Sequence, residues 1–324
     1  FWLLGAQLAV ARGANHEAIR DVTRGLLLVR RLPETARLHQ ELELRIALMP
    51  ALIASVGWAS AKLKRVYARA QALADLIGNT PHRFAILAGT FGYHFVAGRV
   101  GQSVALATQV LELAARINDP LLLTVGHQDC AAAFCYHGDF RTGVKHAEAG
   151  LAMLDVERER FIGRTLGLSS CVGILAYEYL ALWMLGYPER ARRTSERCLA
   201  LALEVAHPPS IGLALTNRTG WFYLQRDADR TLTSADEALR VAREERLGFW
   251  EPMITVFRGW ALWELSAGTQ GLIEIGDAIS RYRAAGNGIL QVWMDAILAE
   301  VLWRAGRCKE AFHTLGHAMT LATQ

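Results

Sequence analysis

The strongest constraint on this chain is a motif that returns about every 40 residues. An apolar run ends in Gly or Arg, a short polar turn follows, and a small residue stands five positions on. It reads Gly13-Ala14-Asn15-His16-Glu17-Ala18, Gly98-Arg99-Val100-Gly101-Gln102-Ser103, Gly138-Asp139-Phe140-Arg141-Thr142-Gly143 and Gly186-Tyr187-Pro188-Glu189-Arg190-Ala191. It continues from Arg226 to Thr231, at Gly268 with a less regular sequel, and from Gly306 to Ala311. From Gly98 onward the intervals are 40, 48, 40, 42 and 38 residues. Gly13 to Gly98 is 85, two intervals, which places a missing turn near Gly57-Trp58-Ala59. A second position, twelve residues after the turn, holds Gly25, Val110, Gly150, Cys198, Ala238, Ser280 and Ala318. Six of those seven are small, and antiparallel helices approach closely only where side chains are short. Between the units lie Gly78-Asn79-Thr80-Pro81, Asn118-Asp119-Pro120, His207-Pro208-Pro209 and Gly286-Asn287-Gly288, residues that end one helix and permit the next.

Composition supports helices rather than strands. Of 324 residues only 8 are Pro, and the 52% that are hydrophobic are dominated by Ala and Leu. The expected fold is all-α: one right-handed α-solenoid of about eight antiparallel helix hairpins, spanning 1–324 as a single domain with no sheet. The formal net charge of +4, from 35 basic and 31 acidic residues, is not the footprint of a nucleic-acid binder. The densest basic run, Arg190, Arg192, Arg193 and Arg197, is interleaved with Glu189 and Glu196. It reads as a solvated helix face, with a phosphate or partner patch as the alternative.

Five cysteines, an odd number without a CxxC, fit reduced thiols and a cytoplasmic location. Residues 1–11 are apolar, but no Met begins them and no basic segment precedes them. They read as the start of a fragment of a larger protein, not a signal peptide. Residues 166–187 carry one charge, Glu178, in 22 positions. A carboxylate in mid-membrane costs about 2.5–3.5 kcal/mol, so this segment reads as a buried solenoid helix and no membrane association is expected.

The repeat resembles the tetratricopeptide repeat: Trp2, Ala6, Gly13, Ala18 and Gly25 fit its spacing, as do Ala299, Gly306, Ala311 and Ala318. The period here is longer than the usual one of about 34 residues. Further motifs run in order along the chain: Asn15-His16-Glu17-Ala18-Ile19, Arg31-Leu32-Pro33, the run from Leu42 to Leu48, the run from Val66 to Ala70, Leu185-Gly186-Tyr187-Pro188, Ala206-His207-Pro208, Arg258-Gly259-Trp260-Ala261 and the run from Tyr282 to Gly286. Together they resemble the C-terminal helical-repeat region of large bacterial predicted ATPases of the STAND type, many fused to a class III adenylate/guanylate cyclase domain, others to a winged-helix DNA-binding domain. The resemblance implies a regulatory array that senses a ligand or partner. No GxxxxGK[ST], GxGxxG or metal-binding Asp pair occurs here, so no catalytic role is carried over, and no cofactor is expected.

His313 and His317 share a helix face near Cys308, but no third or fourth ligand is evident, so no metal site is assigned. Cys130 and Cys135 read as packing residues, and Asn217-Arg218-Thr219 as a sequon idle within a helix. The stripe of Trp260 and Trp263 and the pair Trp293 and Trp303 fit either core or a groove wall. In tetratricopeptide-like arrays the first helix of each hairpin lines the concave surface. Counting back from each turn places Gln128, Tyr136, Trp183, Thr216, Tyr223, Arg258, Glu300 and Trp303 there. Such a groove suits a protein or peptide, including the parent's own ATPase domain. The alternative is a small-molecule effector in an enclosed pocket lined by Trp and a charged residue such as Arg258.

Overall fold

The computed structural model describes residues 1–12, 14–78, 81–266 and 268–323. Among them are seventeen α-helices and no strand, as the repeat requires. Sixteen helices form eight antiparallel hairpins. The first four are α1 (Trp2–Ala11) with α2 (Asn15–Val29), α3 (Glu34–Val56) with α4 (Ala61–Ile77), α5 (Arg83–Val96) with α6 (Val100–Ile117), and α7 (Pro120–His137) with α8 (Phe140–Leu151). The last four are α10 (Ser170–Met184) with α11 (Pro188–Val205), α12 (Pro208–Leu224) with α13 (Ala228–Glu244), α14 (Glu251–Ser266) with α15 (Thr269–Ala284), and α16 (Gln291–Arg304) with α17 (Cys308–Ala322). Helix α9 (Val156–Leu166) is inserted between the fourth and fifth hairpins, which accounts for the single 48-residue interval.

The turns follow the sequence pattern. Gly98, Gly138, Gly186 and Gly306 take φ between 77° and 91°, the left-handed region open to glycine. Arg226 occupies the same slot at φ 59° without that freedom. Gly57, at φ 84°, marks the turn expected near 57–59. Gly13, Asn79 and Thr80 lie outside the described residues.

One expectation is corrected. Gly268 is not the turn residue of the seventh hairpin but the N-cap of α15, and Ser280 is exposed. Counting from Ser266 instead restores a 40-residue spacing on both sides and puts Gly271 and Ala278, both buried, at the two close-packing positions. The crossing there is backbone on backbone: a Cβ on Gly259 would stand 2.6 Å from the Gly271 carbonyl oxygen.

The apolar stretch 166–187 does not form one helix. It breaks at Gly167, φ 89°, and α9 meets α10 at 95°. Most of α10, including Glu178, is buried in protein. Among the described residues no single helix is long and apolar enough to cross a membrane. Cys130 and Cys135 are buried packing residues, and of the five free thiols only Cys308 is exposed.

A buried polar junction ties α9 to the array. The Glu159 carboxylate accepts hydrogen bonds from the Ser169 hydroxyl at 2.6 Å and the Cys171 N–H at 2.9 Å. It thereby sits at the N-terminus of α10, where the helix dipole favours an anion. The Ser169 N–H donates to the Ser210 hydroxyl at 2.9 Å, and His207 Nδ1 lies 3.0 Å from that same hydroxyl at the start of α12. Burial, aided by nearby Arg164, pushes His207 down to about 4.

The array also curls back on itself. The N–H groups of Gly288 and Ile289 donate to the Val96 carbonyl at 2.8 and 3.2 Å, joining the α15–α16 loop to the third hairpin. Only glycine fits: a Cβ on Gly98 would lie 2.8 Å from the Gly288 carbonyl carbon.

Two stability outcomes follow from this packing. On α15, Gly271→Ala is expected to cost about 1–3 kcal/mol by forcing the crossing apart. Gly276→Ala on the same helix faces open space and should gain about 0.5–1 kcal/mol. Urea titrations of the two variants check the opposite signs. His207 stays neutral in the fold, so its contribution is present above the ordinary histidine value of about 6.5 and is lost as pH falls from there toward about 4. His207→Gln should flatten the stability–pH curve in that window by about 1–2 kcal/mol, an amount already reduced for partial exposure. Thermal melts at stepped pH would show it.

Candidate functional site

The helices α5, α7, α10, α12, α14 and α16 each pack on the next in that series, whereas successive second helices make no comparable contact. The first helices therefore line the inner side of the curve. At the sixth to eighth hairpins the curvature is tight enough for α12 and α16 to meet across α14, and units two apart touch only on a concave side. The Arg226 guanidinium reaches Glu300, with Nη1 at 2.7 and 2.9 Å from the two carboxylate oxygens. It lies over the rings of Tyr223 and Trp260, at 5.0 and 5.6 Å. Tyr223 meets Trp260 edge-on at 4.8 Å, leans on Phe257 and Trp293, and donates a long 3.5 Å hydrogen bond to Glu300. Burial pushes its phenol up to about 12.

Arg304 extends the line of charges. It pairs with Glu264, one contact being 3.1 Å, and its nearest guanidinium nitrogen stands 4.0 Å from Glu300. The result is an aromatic floor under an alternating row of two cations and two anions. Trp260 is buried, and its Nε1 has no hydrogen-bond partner. The charges are partly exposed and paired mainly within the row, so a partner with its own charges can exchange for them.

The eight residues expected to line a groove fall into separate groups. Tyr223 and Glu300 meet in the site just described. Trp303, one turn further along α16, is 63% exposed. Thr216 is buried, and its hydroxyl donates to the Gly212 carbonyl of its own helix. Arg258 turns toward the second helices, bridging Asp236 of α13 and Glu274 of α15, each at 2.6 Å. It borders a surface hollow of about 360 Å³ with Asp236, Arg240 and Arg243.

Gln128, Tyr136 and Trp183 belong to α7 and α10, further back along the array. Gln128 covers Gly173, where a Cβ would lie 3.2 Å from its Cγ. Tyr136 packs edge-on against Phe95 and Tyr177, at 5.2 and 6.1 Å, and Trp183 against Trp221 at 5.0 Å. Loop residues Phe249 and Ile289 pack onto that same cluster, so the chain's own side chains fill this part of the interior. Arg226, Glu264 and Arg304 were not anticipated. Arg226 had one signal, its place in a turn slot otherwise held by glycine.

His317 serves a structural network. Its Nδ1 lies 2.8 Å from fully buried Asp295, which also accepts from Arg283 and Gln291. His313 instead borders a separate hollow of about 400 Å³. Among the described residues no three His, Cys, Asp or Glu are grouped to hold a metal. Asn217 donates to the Leu213 carbonyl within α12, and Thr219 of the same sequon is buried against Ser234.

No family model matches the chain. No curated protein matches it either. It is similar in structure to a Rap protein complexed with competence and sporulation factor, with a TM-score of 0.65 and 12% identity over 99% of this chain and 97% of that one. It is likewise similar to aspartyl phosphate phosphatase F from Bacillus subtilis, with a TM-score of 0.60 and 9% identity over 100% of this chain and 93% of that one. At such identities the likeness shows a shared helical-hairpin fold and nothing finer.

The convergence of alternate hairpins has an energetic signature. A double-mutant cycle on Arg226→Ala and Glu300→Ala should give a coupling of about 1 kcal/mol, reduced in high salt. A coupling near zero at low salt would mean that the sixth and eighth hairpins do not meet.

Proposed function

We propose that this chain is a regulatory module that binds a protein segment or peptide on its concave face, chiefly where Tyr223, Trp260 and Trp293 floor the Arg226–Glu300–Arg304–Glu264 row. The observation that carries this reading is that row itself. Its charges sit over aromatic rings, open to solvent on one side, in a groove formed by three hairpins. An extended peptide supplies what such a surface takes: side chains for the aromatic floor and charged groups to replace the internal pairs. The likeness to a Rap protein complexed with a factor lends support at the level of the fold. The resemblance to repeat arrays of STAND-type ATPases supports a parent protein of that kind, a cyclase or transcription regulator, whose own ATPase domain is one candidate partner. The groove is preferred over a small-molecule pocket at Arg258 because that guanidinium turns to the second helices, where the hollow beside it is lined by Asp236, Leu239, Arg240, Arg243 and Glu244 rather than by Trp.

The reading is tested by selecting a random linear peptide library on the purified chain. Selected peptides should lose at least tenfold in affinity on Arg226→Ala and on Glu300→Ala, and keep it on Arg193→Ala, which alters an exposed outer helix. Equal binding by all three variants, or no enrichment on the unaltered chain, would contradict it.

A further inference from the structure

The fourth hairpin brings two imidazoles together. His127 of α7 and His146 of α8 hold their Nδ1 atoms 3.1 Å apart, with ring centroids at 5.3 Å and ring planes tilted by 43°. The local sequence builds this meeting. His127, Ala131 and Phe134 are spaced by four and then three residues, so they share one face of α7. Ala131 between them is short and buried. The His146 ring lies over it, meeting His127 on one side and stacking on Phe134 on the other, at 5.6 Å and 4°. On α8, Gly150 stands one turn beyond His146, and a Cβ there would lie 3.2 Å from the His127 Cβ. Glycine at 150 thus lets α8 come close enough for the rings to meet.

Both rings are half-buried, so an ion can reach them from solvent. Burial holds both below the ordinary histidine value, and each ring adds to the effect where it faces the other, as His146 does for His127. At neutral pH both are therefore uncharged imidazoles, the form that binds metals. Two imidazole nitrogens on one zinc ion, each bound at about 2.0–2.1 Å, stand about 3.3 Å apart at the tetrahedral angle, with ring centres about 5.2 Å apart. The two histidines stand close to both spacings, at 3.1 and 5.3 Å.

We propose that His127 and His146 form a zinc-binding clasp between α7 and α8, each ligating through Nδ1, with water in the remaining positions. Two protein donors are one fewer than a catalytic zinc takes, so the ion exchanges with solvent rather than residing. In the ion-free chain one ring donates its Nδ1–H to the other. On binding, that proton passes to the same ring's Nε2, so both Nδ1 lone pairs face the ion and no net proton is released. The clasp lies within one hairpin, apart from the charged row on α12, α14 and α16.

Zinc titration of the untagged chain with isotope-labelled histidine, followed by nuclear magnetic resonance, tests this. The Nδ1 signals of His127 and His146 should shift together as Zn2+ is added. In His127→Asn the His146 signal should need at least tenfold more Zn2+ for the same shift, and in His146→Asn the His127 signal likewise. His313→Asn should leave both shifts unchanged, which separates the clasp from the histidines near Cys308. Unchanged circular dichroism melts without zinc show that the variants are folded, and the joint shift in the unaltered chain is read without them. Signals that stay fixed in excess Zn2+, or that move at Nε2 instead of Nδ1, would overturn the proposal. So would a folded single variant whose remaining ring shifts at the same Zn2+ concentration as before.

Discussion

Everything in this structure depends on how closely its helices approach at a few small residues. At Gly259 and Gly271 two backbones touch. At Gly143 and Gly150 there is no room for a Cβ beside Cys135 and Ile174. Close packing at such points fixes the angle between helices, and repeating it eight times fixes the curvature. The curvature then carries the Gly286–Ile289 loop back to Val96, 192 positions away for Gly288. Glycine at 98 and 288 is needed for that last contact as it is for the crossings. Sub-ångström geometry at the hairpin level thereby decides whether the array is an open ribbon or one that closes on itself.

Closure divides the concave face into two regions with different capabilities. Around α5, α7 and α10, aromatic residues pack together with Phe249 and Ile289 from later loops in one hydrophobic cluster. Around α12, α14 and α16 the same curvature brings charged side chains from alternate hairpins into one row above buried rings. The first region holds the shape. The second presents exchangeable polar contacts, and exchange is what a binding surface needs.

Much of the fold was legible because its signals are local. Turn glycines, small residues five and twelve positions on, and Pro or Asn breakers each report on a few neighbouring residues. The register slipped only at Gly268, where glycine serves as a helix N-cap and so mimics the turn it follows. The site was legible only in part. Tyr223 and Glu300 fell to the helix-face count, but their meeting depends on 77 residues of intervening curvature. Arg258 lies on an inner helix, yet its long side chain reaches outward to two carboxylates on second helices. Backbone position alone does not decide where a flexible cation ends. Gln128, Tyr136 and Trp183 do lie on first helices, but no local pattern shows that Phe249 and Ile289, from loops 66 to 153 positions later, would pack onto the cluster that holds Tyr136 and Trp183.

The central claim is that binding occurs on the concave face where the sixth, seventh and eighth hairpins converge. Hydrogen exchange of the unaltered chain, with and without a library-selected peptide, addresses it directly. The account predicts new protection concentrated in the C-terminal halves of α12, α14 and α16, with α13 and α15 unchanged. Protection confined to the second helices, or to α1 and α17 alone, would contradict it.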